Sequence, residues 1–174
     1  MDVFTAYYMD DEKEKHFKVI YNQFGKGVFQ FIYFKVSDYE LAKDLTEETF
    51  IRFWKTMQRA KEIHKPSSLV FLIARGIVID HYRTKRNIAI SLDAVDERLL
   101  AQLDDTEEQL DKRQILNDIF GKLKTINKDY QEVLVLYYVE ELKVSEIAVI
   151  INKKENAIRV LLHRAVSALK EKYE

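Results

Sequence analysis

Apolar residues recur along much of this chain at the three- and four-residue spacing of an amphipathic helix. Phe17, Ile20, Phe24, Val28 and Phe31 predict a first helix from about residue 12 to 35, with Gly25 and Gly27 as points where it can bend or break. Ser37, followed three residues on by Glu40, has the order of a capping box and predicts a second helix that continues to about residue 61. At about 100° per residue, Leu41, Ala42, Leu45 and Phe53 occupy one side of that helix, and Phe50, Trp54 and Met57 continue around the cylinder. So wide an apolar face exceeds what one small core is expected to cover, which suggests that part of it meets a partner.

Pro66 and the serines after it mark a break, and a third helix is predicted from about residue 68 to 85. Leu69, Val70, Ile73 and Ile77 share one of its faces, while Arg75, Tyr82 and Arg86 fall on the other. Residues 88–111 have weak periodicity and many acids, the pattern of a linker, with room for a short helix near residues 98–103. Three or four further helices are predicted, over about 108–126, 128–142, 144–151 and from 155 onward. The stretch "VSEIAVIINKKENAIRVLLHRA" sets a brief apolar helix, a turn at Asn152 and a longer helix in the order of a helix-turn-helix. Asparagine suits that turn because it tolerates the left-handed conformation better than other non-glycine residues.

Composition fits this helical reading. The 174 residues include one proline, four glycines and 47% hydrophobic residues, which favours an all-α protein over a turn-rich β fold. The expected architecture is two small helical domains joined by an acidic linker, with the helix-turn-helix in the second. The domain ranges are 1–87, 88–111 for the linker, and 112–174. Without cysteine there is no disulfide framework or thiolate metal site. The amino-terminal residues lack the basic-then-apolar order of a signal peptide, and runs such as Leu69 to Ala74 are too short to cross a bilayer. A cytoplasmic protein with no direct membrane insertion is therefore expected.

Net charge is only −1, from 28 Lys+Arg and 29 Asp+Glu, but the charges are segregated. Arg75, Arg83, Lys85 and Arg86 are followed by Asp93, Asp96, Glu97, Asp104, Asp105, Glu107, Glu108 and Asp111, with Arg98 among them. The last helix turns basic again through Lys153, Lys154, Arg159 and Arg164. Two cationic surfaces on two modules are the simplest interpretation. On the last helix Ile158, Leu161, Leu162, Ala165 and Leu169 form the core stripe. Asn156, Arg159, Val160, His163, Arg164, Ser167 and Lys170 lie opposite, where they can reach phosphates and base edges in a major groove. A cationic helix end that is merely solvated gives the same pattern, and the helix-turn-helix order shifts the balance toward DNA. On the third helix, Arg75, Tyr82, Arg83, Lys85 and Arg86 join charge to a stacking surface, as single-strand binders do, although a solvated helix end is equally compatible. His16, His64, His81 and His163 have no metal-ligand spacing, and neither a phosphate-cradling glycine loop nor a nucleophile elbow occurs. No metal, cofactor or enzymatic activity is expected.

In three places the chain resembles the extracytoplasmic-function (ECF) sigma factors of the sigma-70 family. "AKDLTEETFIRFW" (Ala42 to Trp54) is similar to region 2.2 of that family, "LIARGIVIDHYRTKRN" (Leu72 to Asn87) to regions 2.3 and 2.4, and "LKVSEIAVIINKKENAIRVLLHRAVSALK" (Leu142 to Lys170) to region 4.2. The resemblance implies that Asp44, Glu47, Glu48, Phe50 and Trp54 bind core RNA polymerase. It implies that Arg75, His81, Tyr82, Arg83, Lys85 and Arg86 capture the opened strand of the minus-ten element. Lys154, Asn156, Arg159, Val160, His163 and Arg164 would read the minus-thirty-five element as duplex. Promoter DNA and core polymerase are then the implied partners, with an anti-sigma factor as a regulator. Gly76, Leu69, Asn152, Lys153 and Leu161 depart from the family pattern, so the promoter sequence does not carry over from other members. Two other functions remain open on the residues alone: a stand-alone helix-turn-helix regulator that does not bind polymerase, and a helical adaptor whose basic faces are only solvated.

Overall fold

The computed structural model describes residues 3–60, 62–85, 121–123 and 125–172, with side chains described from residue 11 onward except that of Lys85. The regular elements among them are helices: α1 (Val3–Val36), α2 (Tyr39–Arg59), α3 (Pro66–Lys85), α4 (Lys128–Leu134), α5 (Val144–Ile151) and α6 (Glu155–Lys170). The chain divides into two compact units, Met1–Leu92 and Asp93–Glu174. The predicted short helix at 98–103, the acidic linker at 88–111 and most of the 108–126 helix lie outside the described residues.

In the first unit α1, α2 and α3 pack mutually as a three-helix bundle. Gly25 and Gly27 do not break α1, which is continuous through both. Its core holds Phe31, Phe53 and Phe71, all essentially inaccessible, with Val28, Ile32, Ala42, Val70 and Ala74 around them. Burying each of these phenylalanine side chains stabilises the unit by about 1.5–3 kcal/mol. Phe31 meets Phe71 edge to face at 5.7 Å between ring centres, and Phe17 meets Trp54 in the same manner at 5.2 Å. Thr46 and Thr49 are buried on α2 and satisfy their hydroxyls within the helix, on Ala42 O at 2.6 Å and Leu45 O at 2.7 Å.

Two boundaries correct the sequence expectation. The N-cap of α2 is Asp38, whose Oδ1 accepts the Leu41 N–H at 3.0 Å, and not Ser37. Ser37 still donates its N–H to Tyr33 O at 2.8 Å and turns left-handed at φ 53°, so it closes α1 and lacks the extended backbone of an N-cap. α3 starts at Pro66, whose fixed φ and missing N–H suit the first helical position.

In the second unit the helix expected to reach residue 142 ends as α at Leu134 and widens into a π-helical turn, Val135–Val139. Glu140 N–H closes that turn on Val135 O at 3.0 Å, and Glu141 then adopts φ 51°. The wider turn leaves Val135 and Leu136 in the core while Tyr137, Tyr138 and Val139 are exposed. Ile147, Ile150 and Ile158, all fully buried, join α5 to α6.

Candidate nucleic-acid interface

α5 and α6 form a helix-turn-helix whose turn rests on Asn152, left-handed at φ 57° and ψ 51°. Lys153 N–H then reaches back to Ala148 O at 3.0 Å, which satisfies a carbonyl left open at the end of α5. At the other end of α5, Glu146 Oε2 accepts the Lys143 N–H at 3.0 Å, one arm of a capping box. The turn thereby fixes where α6 begins.

α6 buries Ile158 and Ala165 and partly covers Leu161, Leu162 and Leu169, the stripe expected from the sequence. Lys154, Asn156, Arg159, Val160, His163 and Arg164 are all exposed on the remaining surface. A shallow depression there is lined by Lys153, Asn156, Ala157, Val160, Leu161 and Arg164. Its apolar floor and polar rim match what a thymine methyl and neighbouring phosphates can occupy. Sequence reasoning missed Glu155. Its Oε2 lies 2.9 Å from Arg159 Nη2, and Asn156 Oδ1 accepts from Arg159 Nη1 at 2.9 Å. The signal was present as an acid four residues before an arginine.

On α3 the structure spreads the expected single-strand residues unevenly. Tyr82 and Arg83 are exposed, while Arg75 and His81 are half-buried; the Lys85 side chain and Arg86 lie outside the described residues. His81 and Tyr82 meet edge to face at 5.7 Å. The Tyr82 hydroxyl donates to Lys35 O near the end of α1, tying the ends of α1 and α3 together. Burial raises the pKa of that hydroxyl, in keeping with its role as a donor. Tyr82 nevertheless remains 41% exposed.

On α2 the expected polymerase-facing set divides. Asp44 and Glu47 are exposed, and Glu48 is half-exposed in a 2.5 Å ion pair with Arg52, which also lies 3.9 Å from Asp80 of α3. Phe50 corrects the expectation. It is 3% exposed, its ring 4.7 Å from Tyr21 and 6.1 Å from Phe17, so it is a core residue. The apolar face of α2 is wide because α1 covers part of it with those aromatic rings. Trp54 is half-buried against Phe17. The apolar residue that does face outward is Ile51, 54% exposed, which follows Glu47 by four and Glu48 by three and so shares their side of the helix.

Residues 20–88 match the family model for sigma-70 region 2, and residues 119–169 match that for sigma-70, region 4. The chain belongs to the sigma-70 family. Its relatives place it in the ECF branch. The ECF RNA polymerase sigma factor SigM of Bacillus subtilis is 29% identical over 155 residues, covering 88% of this chain and 93% of SigM. BldN of Streptomyces coelicolor, also an ECF RNA polymerase sigma factor, is 30% identical over 156 residues, covering 86% of this chain and 57% of BldN. The fold is shared with the sigma factor RpoE solved with the anti-sigma factor NepR from Bartonella quintana, at a TM-score of 0.71 and 19% identity over 90% of this chain and 96% of that one. It is shared also with CnrH, solved with the cytosolic domain of CnrY, at 0.65 and 16% identity over 92% and 88%. The two matched regions contain the α2 and α3 faces and the helix-turn-helix just described.

Proposed function

We propose a division of labour for this ECF sigma factor, which directs core RNA polymerase to specific promoters and assists DNA melting. Residues 1–87 form the module for core polymerase and the minus-ten element, 88–111 a connecting segment, and 112–174 the module for the minus-thirty-five element. The observation that carries this reading is the presence of both sigma-70 regions, in order, in one chain. A stand-alone helix-turn-helix regulator, or an adaptor with solvated basic faces, leaves residues 20–88 without a role.

Core polymerase is met by the side of α2 that carries Asp44, Glu47, Glu48, Ile51 and Trp54. Acids around an apolar centre suit a cationic partner, and Glu48 exchanges Arg52 for that partner on docking. Arg75, His81, Tyr82, Arg83, Lys85 and Arg86 hold the opened strand, where stacking and phosphate contacts offset the cost of unstacking a base, a few kcal/mol. Lys154, Asn156, Arg159, Val160, His163 and Arg164 meet duplex DNA. The protein supplies binding free energy and no covalent chemistry of its own, and it works in the cytoplasm; among the described residues no helix is long and apolar enough to cross a membrane. An anti-sigma factor is a fitting regulatory partner, since both RpoE and CnrH were solved with a second protein bound, named as an anti-sigma factor in the RpoE complex.

The test is transcription with purified chain and core RNA polymerase on genomic DNA, with start sites mapped. Specific starts that share two upstream elements are expected, and the double variant Glu47→Lys with Glu48→Lys is expected to lose them together with core binding. Absence of stable core binding by the unmodified chain at low salt overturns the reading.

A further inference from the structure

Among the cationic residues of α6, Arg159 differs in being held. Its Nη2 sits 2.9 Å from Glu155 Oε2 and its Nη1 donates to Asn156 Oδ1 at 2.9 Å. Both anchors lie in the first turn of the helix, the part that approaches bases in a major groove. We propose that Glu155 is a specificity-determining residue: with Asn156 it holds the Arg159 guanidinium as a fork for the O6 and N7 acceptors of a guanine, and keeps it off the phosphates. The inference rests on the assignment of α6 as the duplex-reading helix.

The donor inventory permits this. A guanidinium has five N–H groups. One on each terminal nitrogen is used by the two anchors, which leaves one on each and the Nε–H for a bidentate contact. Asn156 is correspondingly diverted. To read adenine, an asparagine must accept from the base amino group with its Oδ1, and here that oxygen already faces Arg159. An acid on the DNA side of the helix also repels phosphate, so Glu155 weakens binding to any duplex unless its effect on Arg159 compensates. The pair is half-exposed on both sides, at 57% for Arg159 and 47% for Glu155, so fold stability gains little from it. Its consequence is therefore sought in recognition.

The experiment uses the chain reconstituted with core RNA polymerase and a library of duplexes randomised upstream of a fixed melted segment. Enriched sequences are compared for the wild-type chain, Arg159→Ala and Glu155→Gln. Both are surface positions, and a thermal unfolding curve confirms that each variant folds. One position is expected to favour guanine in the wild type, and that preference is expected to fall about tenfold in both variants. Glu155→Gln is also expected to bind unrelated duplex more tightly at low salt, with a salt dependence steeper by about one phosphate contact, as the released arginine turns to the backbone. An unchanged guanine preference in Glu155→Gln overturns the proposal and leaves an ordinary surface ion pair. Loss in Glu155→Gln of a cytosine preference that Arg159→Ala retains also overturns it, because Glu155 then reads a base itself. If Arg159→Ala matches wild type in affinity and at every position, the assignment of α6 to duplex reading fails along with it.

Discussion

At the scale of single residues, the helix-turn-helix depends on Asn152, whose left-handed backbone ends α5. Asn152 stands between two apolar-periodic segments, where few residues other than asparagine and glycine tolerate the left-handed region, and φ is indeed 57° there. Asn152→Ala is expected to destabilise the second unit by about 1 kcal/mol, and Asn152→Gly to change it by less than about 0.5 kcal/mol, in chemical denaturation of the full chain. Ser37 and Asp38 are both good capping residues in adjacent positions, and what separates them is the hydrogen bond from Ser37 N–H to Tyr33 O, which commits Ser37 to the end of α1. Glu140 was not singled out by the sequence at all. One of its carboxylate oxygens, Oε1, is buried without a hydrogen-bond partner among the described residues, and burial pushes its pKa from 4.5 up to about 7. Between those values the folded chain keeps a proton that the unfolded chain loses, so stability falls as pH rises through the window and the full penalty is present above about 7. Glu140→Gln is therefore expected to raise the melting temperature at pH 8 and to change it much less at pH 4.5, measured by thermal unfolding in both buffers.

At the scale of elements, periodicity identified the apolar faces but not what covers them. α2 has an apolar face wide enough to suggest an unsatisfied docking surface, yet Phe50 is covered by Phe17 and Tyr21 of α1, residues distant in sequence on the preceding helix. Only the packing of the bundle separates Phe50, which faces inward, from Ile51, which faces out. Phe50→Ala is expected to cost about 3–5 kcal/mol of stability in the first unit, as cavities left by large aromatic residues do. Ile51→Ala is expected to leave stability within about 0.5 kcal/mol, as surface changes do, while weakening the pull-down of core polymerase. Equal losses of stability in the two variants would place both side chains in the core and remove Ile51 from the docking face. The π-helical turn was invisible for a related reason. Val135 and Leu136 continue the apolar pattern of α4, and nothing local distinguishes a turn widened by packing from one more turn of α-helix.

For the molecule as a whole, a net charge of −1 conceals the property that matters, which is where each sign sits. Asp44, Glu47 and Glu48 lie on the first half of α2, while Arg159, His163 and Arg164 share the exposed side of α6 with a single acid, Glu155, that is paired to Arg159. The segregation was readable from the sequence because it follows chain order, whereas the pairing was hidden within it. Each exposed cation that neutralises a phosphate releases counterions, so promoter affinity of the assembled enzyme should fall linearly with salt on logarithmic axes, by about 0.9 per phosphate contacted. Arg164 and Arg159 then separate by their chemistry. Arg164 lines the depression on α6 with no acid holding it among the described residues, so it is suited to a phosphate. Arg164→Ala is expected to reduce the slope by about one contact and to weaken all duplexes alike. Arg159→Ala, which removes a base reader already paired in the free protein, is expected to leave the slope nearly unchanged and to act on some sequences far more than on others. Filter binding or fluorescence anisotropy of the polymerase complex across a salt series measures both. A shared loss of slope in the two variants would mean that Glu155 releases Arg159 to the phosphate backbone when DNA arrives.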